Sequence, residues 1–499
     1  MADTKREIER KYESDQSGLP DLTGVGGVAA VIDKGVAALD AVYYDTADER
    51  LAAAGITLRR RTGGSDAGWH LKFPVAPDVR DEIHAPLSDT VPRSLAALVR
   101  SRVRDAELLP LVRLRTQRRV RHLVDADGKL LAEVSVDAVR AKRLTGDGGS
   151  AQWTEIEVEL ADGGDPAFLD TVEKRLRKGG ARPSASASKL ARALAETAPE
   201  GRPEPQERKP VTAGDHVLAY LRAQREAIVA LDPAVRRKVD DSVHRMRVAT
   251  RRMRSAFRTF RKVLDRSVTD PVREELKWLG GEIGLDRDQE VLTERLTTDL
   301  DDLPETLVSG PVRTRLRTWS QARRSGSRRR LIAVLNGKRY LALLDTLDAV
   351  LADPPLRPAA AGKPSKVIAK AVRKDFTTLT GLLEHALDLP PGHDRDLALH
   401  EARKKVKRTR YAAEAAVPAL GAPAAHLVKA AKSLQSLLGD HQDSVMARQA
   451  LLELAGQADA ARESSFTYGL LYGREEQRAA AVEAEVPAVW KAIKGRAAI

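Results

Sequence analysis

The sequence predicts two domains of different class. The first is an α+β domain built on an antiparallel sheet rolled into a barrel with a charged interior, and the second is all-helical. Three observations carry this. Short runs in residues 1–197 alternate apolar and charged side chains with period two, whereas the pattern from 212 onward is helical. A stretch rich in proline and charge, "APEGRPEPQERKPVTAG" (198–214), separates the two patterns. The charge divides at the same place: residues 1–210 hold 34 basic and 34 acidic side chains, while 211–499 hold 50 and 37 and so carry the entire net +13.

The totals agree with two folded modules. A chain of 499 residues exceeds one typical core, and 42% hydrophobic residues suffice for globular folding. There is no cysteine, which excludes disulfides and thiolate metal sites and fits a reducing cytoplasm. The charged start "MADTKREIER" lacks the apolar core of a signal peptide, and no run of about 18 apolar residues exists. The expectation is a cytoplasmic protein without a membrane span. A basic second half should prefer a polyanion.

The N-terminal elements follow in order. "EIERK" (7–11) puts Glu7, Glu9 and Lys11 on one strand face and Ile8 and Arg10 on the other. "ITLRRR" pairs Arg59 with Arg61, "GWHLKF" pairs His70 with Lys72, and "VRDEIH" pairs Arg80 with Glu82. "AEVSVDAV" pairs Glu133 with Asp137, and "WTEIEVEL" aligns Glu155, Glu157 and Glu159 opposite Ile156, Val158 and Leu160. Helices are expected near 93–104 and 166–178. Any one of these faces would pass as a solvent face. Six, with both signs, point instead to strands whose apolar faces pack outward and whose charged faces line a lumen. Carboxylates two residues apart suit Mg²⁺ or Mn²⁺, and the opposed cations suit phosphate oxygens. Together they imply a metal–triphosphate site, with phosphoryl transfer driven by positioning, charge neutralisation and a metal activating water.

The helical half is divided again by "DPPLRPAAAGKPSK" (353–366), and the parts 212–352 and 367–495 read as copies of each other. "VHRMRVATRRMRSAFR" (243–258) holds six arginines in sixteen residues. On a helix turning about 100° per residue, His244, Arg247, Arg251, Arg254 and Arg258 fall in a stripe roughly 80° wide. Met246, Ala249, Met253 and Phe257 lie opposite. "LHEARKKVKRTRYAAE" (399–414) repeats the stripe with His400, Arg403, Lys407 and Arg410. Downstream, "IGLDRDQEV" (283–291) is echoed by "LGDHQDSV" (438–445), which matches Asp288 to Asp443. Those two aspartates serve equally well as helix caps, arginine partners or ligand groups. A lone basic stripe is ordinarily a wet face. A repeated one that crowds arginines at helical spacing calls for an anion. Aromatics are 4% of the chain and no base-reading motif is present, so phosphate binding fits better than nucleic acid.

Both halves resemble known families. E-x-E-x-K at 7–11, "YYDTADERLAAAGITLRRRTGGSDAGWHLKFP" (43–74), "EVSVDAV" and "EIEVEL" make residues 1–197 similar to CYTH proteins, the triphosphate tunnel metalloenzymes. That resemblance implies an eight-stranded antiparallel tunnel. It implies metal binding by Glu7, Glu9, Asp137, Glu157 and Glu159, with Glu9 and Lys11 at the chemistry. Lys11, Arg59, Arg61, Lys72 and Lys189 would grip the triphosphate with one arginine of "RLRTQRR", Arg118 ahead of Arg115. H-x-x-R-x-x-x-[RK]-x-x-R in each copy, followed by [LI]-G-x-x-x-D, makes 212–495 resemble the CHAD domain, leaving 198–211 as linker. This implies two pseudo-symmetric four-helix bundles and polyphosphate binding by His244, Arg247, Arg251, Arg254, His400, Arg403, Lys407 and Arg410. Asp286 and Glu290 depart from the usual motif and add negative charge there. The expected function is an Mg²⁺- or Mn²⁺-dependent inorganic triphosphatase acting on tripolyphosphate, joined to a module for long-chain polyphosphate and located at polyphosphate granules. The rivals are a non-catalytic polyphosphate-binding protein and an adenylate cyclase using the same tunnel.

Overall fold

The computed structural model describes residues 3–13, 18–146, 148–198, 209–324 and 326–494, without the side chains of 3, 285–288 and 324. The linker expected at 198–211 and the side chains of Asp286 and Asp288 therefore fall mostly or wholly outside the described residues. The chain forms two compact units, 1–206 and 207–499.

The first unit is a closed barrel of eight antiparallel strands: β1 Asp3–Glu13, β2 Ala30–Asp45, β3 Thr57–Thr62, β4 Gly68–Ala76, β5 Val79–Ala85, β6 Leu109–Val124, β7 Leu130–Arg143 and β8 Ser150–Leu160. They run β5-β4-β3-β2-β6-β7-β8-β1, and β1 pairs back onto β5 to close the wall. Closure leaves no free sheet edge. Helices α1 (Arg93–Val103), α2 (Ala167–Lys178) and α3 (Lys189–Glu196) complete the unit.

The alternation in the strands decides what faces outward. Leu58, Trp69, Leu71 and Ile83 pack under Leu95, Leu98 and Val99 of α1. Tyr12, Val134, Ile156 and Val158 pack under Leu169, Val172 and Leu176 of α2. The charged residues of the same strands are left for the interior. Between β3 and β4 the chain turns at Gly63, whose φ is +81°; a Cβ there would lie 2.1 Å from the Ala38 carbonyl oxygen, so no other residue fits.

The second unit is helical: α4 Ala213–Arg237, α5 Ser242–Thr259, α6 Arg266–Asp301, α7 Val312–Arg324, α8 Ser327–Asn336, α9 Lys338–Ala352, α10 Pro364–Asp388, α11 His393–Leu420, α12 Ala422–Ala460 and α13 Phe466–Lys494. A capping box between Thr212 and Asp215 starts α4. The second copy is four long helices. In the first copy three shorter helices, α7 to α9, follow the three longer ones.

Three apolar cores hold these helices together. One lies within the second copy, joining Leu383, Ala402, Leu434, Leu438, Val486 and Trp490. The other two mix the copies. Met253, Phe257 and Leu276 share a core with Ile368, Val372, Ala412 and Leu427. Leu296, Leu316 and Trp319 share another with Leu451, Leu454, Tyr468 and Leu471. Among the described residues no helix is long and apolar enough to cross a membrane.

Candidate active site in the barrel and the basic helical face

Cross-strand register brings the charged faces of the barrel together. Glu157 on β8 stands opposite Lys11 on β1 and Ser135 on β7, and Glu155 stands opposite Asp137. Lys11 Nζ lies 2.6 Å from Glu9 and 2.7 Å from Glu157. Arg118 on β6 contacts both Asp137 and Glu157 at 2.6 Å. Lys189, the first residue of α3, reaches Asp137 at 2.9 Å, Glu155 at 2.7 Å and Glu157 at 2.6 Å. On the β4–β5 side Lys72 binds Glu7 at 2.5 Å and approaches Glu82 at 3.7 Å.

The electrostatics follow from burial and these neighbours. Burial pushes Glu7 up to about 7 despite Lys72. Burial also acts on Glu9, but Lys11 and Lys72 outweigh it and leave its carboxyl at about 2. Burial works against the ionised form of Glu157 too, yet Lys11, Lys189 and Arg118 hold it well below the usual range. Arg61 is the reverse case: burial, Arg59 and Arg118 push it down to about 9. Its guanidinium pairs with Asp66, yet its Nε and that of Arg59 are buried without a hydrogen-bond partner. Orphaned cationic donors beside one another mark a place for anionic oxygens.

Three carboxylates, Asp137, Glu155 and Glu157, bring ligand oxygens within 4.8 Å of one another. An all-oxygen set suits Mg²⁺ or Mn²⁺, and the Lys189 ammonium shows that the cluster accommodates a cation. The five carboxylates expected to hold metal thus do not form one group. Asp137 and Glu157 are in the cluster, Glu7 and Glu9 lie on Lys72 and Lys11, and Glu159 is turned to Lys5 at 2.5 Å. Glu155 stands in the cluster instead, and Trp153 Nε1 donates to it at 2.6 Å. Of the two arginines weighed in "RLRTQRR", Arg118 points inward, while Arg115 is exposed and lies 3.4 Å from Asp40. The strand's period of two forces that split.

Two more interior residues emerge. Glu82 Oε1 lies 2.8 Å from His70 Nδ1, and the Asp66 carbonyl faces His70 Nε2 at 2.9 Å. Burial pushes His70 down to about 4, so the neutral ring donates to one of the two and positions Glu82 or the 66–70 turn. The alternation of "VRDEIH" and "GWHLKF" carried the signal for this face but not for the contact.

In the helical unit α5 packs against α11 and brings the two stripes side by side. Burial, followed by Arg251, Arg403 and Arg247, pushes Lys407 down to about 7. Arg403 lies 3.9 Å from Asp443. His400 Nδ1 hydrogen-bonds the Gln442 side-chain oxygen, and burial lowers its pKa. Burial and then Arg251 lower Arg254. Arg410 turns to Glu414 at 3.6 Å, which also accepts from Arg252 at 2.8 Å, and His244 is exposed near the start of α5. The glycine of the repeated motif has a packing reason. A Cβ on Gly284 would lie 2.7 Å from Arg247 Cζ, so the glycine leaves room for the arginine to cross α6. In the second copy the corresponding approach, Gly439 to Arg403, is 3.7 Å.

The family models agree with this division. A family model described as "CYTH domain" matches residues 5–194, and one described as "CHAD domain" matches 219–452. The chain is similar to "Uncharacterized protein Rv2226" of Mycobacterium tuberculosis, at 40% identity over 487 residues, spanning 94% of this chain and 92% of the relative. Among solved structures it is similar to PptA from Streptomyces chartreusis, at 24% identity and TM-score 0.48, covering 56% of this chain and 100% of that one. It is also similar to the CHAD domain from the plant Ricinus communis, at 25% identity and TM-score 0.42, covering 58% of this chain and 96% of that one. The chain belongs to the CYTH family through its barrel and to the CHAD family through its helical unit.

Proposed function

We propose that the protein is a metal-dependent inorganic triphosphatase, with tripolyphosphate as its substrate, joined to a helical module that binds long-chain polyphosphate. The observation that supports this most is the division of charge inside the barrel. Buried carboxylates gather at Asp137, Glu155 and Glu157, while Arg59 and Arg61 present buried donors without partners. A substrate that is both polyanionic and metal-chelating satisfies both groups at once.

Mg²⁺ or Mn²⁺ held by Asp137, Glu155 and Glu157 would supply charge neutralisation and a more acidic water. The chain's own residues bind and orient. Arg59 and Arg61 donate to phosphoryl oxygens through the Nε atoms left unpaired. Lys11, Lys72 and Arg118 compensate the charge that grows on the leaving phosphate. Glu9, ionised at neutral pH, holds Lys11 in place at 2.6 Å. In the helical unit Arg247, Arg251, Arg403 and Lys407 offer a cluster of like charges that a polyphosphate chain relieves.

Phosphate release from tripolyphosphate with Mg²⁺ or Mn²⁺ tests the enzyme reading. Glu9→Ala and Arg61→Ala are each expected to lose at least about a hundredfold in rate, the scale of one lost charge-stabilising group. Equal rates in wild type and both variants would sink it. ATP supplied in parallel separates hydrolysis, which releases phosphate, from cyclisation, which releases pyrophosphate.

A further inference from the structure

The helical unit carries a second cluster of metal-ligating groups, apart from the basic face. Asp396 near the start of α11, His441 within α12 and Glu483 within α13 each bring one ligand atom within 4.8 Å of the others. His441 is 1% exposed. Its Nε2 faces Asp396 Oδ1 at 3.2 Å and Glu483 Oε1 at 3.1 Å. One ring nitrogen carries at most one hydrogen, so it cannot donate fully to two carboxylates.

The distances suit a hydrogen bond and shared coordination alike. N–H···O bonds measure about 2.7–3.2 Å, and both contacts lie at the long end of that range. Atoms bound to one metal at about 2.0–2.2 Å stand about 2.8–3.6 Å apart in octahedral or tetrahedral arrangements. Both contacts fall in that range. The outer oxygens are held separately: Glu483 Oε2 lies 3.2 Å from Arg395 Nε, and Asp396 Oδ2 lies 2.9 Å from Arg448 Nη2. Asp396 is thus hydrogen-bonded by an arginine on one oxygen, Glu483 has an arginine within ion-pair distance of one oxygen, and each turns its other oxygen toward the imidazole. That is the outer-shell support metal ligands need.

We propose that Asp396, His441 and Glu483 form a divalent transition-metal site, with Zn²⁺ as the fitting ion, that pins the start of α11 to α12 and α13. One nitrogen and two oxygens make a mixed donor set, unlike the all-oxygen cluster of the barrel. Three protein ligands leave positions for water. Asp396 and Glu483 are partly exposed and give the ion a way in.

The test is a Zn²⁺ titration of the untagged full-length chain by calorimetry, with no phosphate present. Wild type, Asp396→Asn and Glu483→Gln are compared, with circular dichroism as the check on folding. The barrel cluster is common to all three, so its binding cancels. Wild type is expected to take up one more equivalent than either variant, and Zn²⁺ is expected to raise its unfolding temperature more. Equal stoichiometry and equal thermal response overturn the site and leave a structural ion-pair network. If a variant does not fold, ¹⁵N-histidine spectra of the wild type decide: a ring nitrogen that moves on saturation with Zn²⁺ supports the site, and no movement at any histidine overturns it.

Discussion

Lys407 shows how far a single side chain can couple binding to protons. Burial and three arginines push it down to about 7, so above that pH it is largely neutral. A bound polyanion favours the charged form and raises the pKa again. Binding therefore takes up a proton, and affinity must rise as pH falls. From pH 8 to pH 6, wild type is expected to bind long-chain polyphosphate several-fold more tightly, within the limit of about tenfold per pH unit for one proton. Lys407→Arg, which keeps its charge throughout, should lose most of that dependence in anisotropy titrations at constant ionic strength. Equal slopes in both proteins would remove Lys407 from the coupling. At this scale the sequence was only partly legible. Period two assigned Glu155, Glu157 and Glu159 to one face but could not say which meets Asp137, because that depends on the register of β7 against β8. For the same reason Glu82 and His70 were placed on the interior face without their contact being visible.

At the scale of elements, helix crossings decide where the cations stand. An added Cβ at Gly284 displaces the end of a flexible side chain rather than backbone, so Gly284→Ala should fold normally and misplace Arg247. Polyphosphate binding is expected to weaken several-fold. Gly439→Ala, with 3.7 Å to the nearest atom of Arg403, should stay within about twofold of wild type, as an ordinary van der Waals contact allows. Equal effects of the two changes on affinity would refute this account. The element least visible beforehand was α3. Its eight residues follow the non-periodic "SASAS", and only its folded context shows Leu190, Ala193 and Leu194 packed among Leu114, Val139 and Trp153. Ser188 caps it by accepting from the Ala191 N–H, and this sets Lys189 against three carboxylates. The long helices and strands were plain by contrast, because each repeats its apolar period over several turns or pleats.

The whole molecule is two units, one neutral and one basic, and the change of composition falls close to their division. It predicts separable activities. Residues 1–206 alone should hydrolyse tripolyphosphate at the rate of the full chain, and residues 207–499 alone should retain long-chain polyphosphate on a filter. If the barrel alone retains long chains equally well, the helical unit has some other task. Less legible was how the two helical copies share their interiors, since a repeat in sequence does not say whose apolar face each copy covers. Ala412 and Leu427 complete a core begun by Met253 and Phe257, and Leu451 and Tyr468 complete one begun by Leu296 and Leu316. A single copy standing alone would leave both sets bare to water. A lone copy would need a partner with matching apolar faces to fold, and a second copy of itself is the simplest such partner.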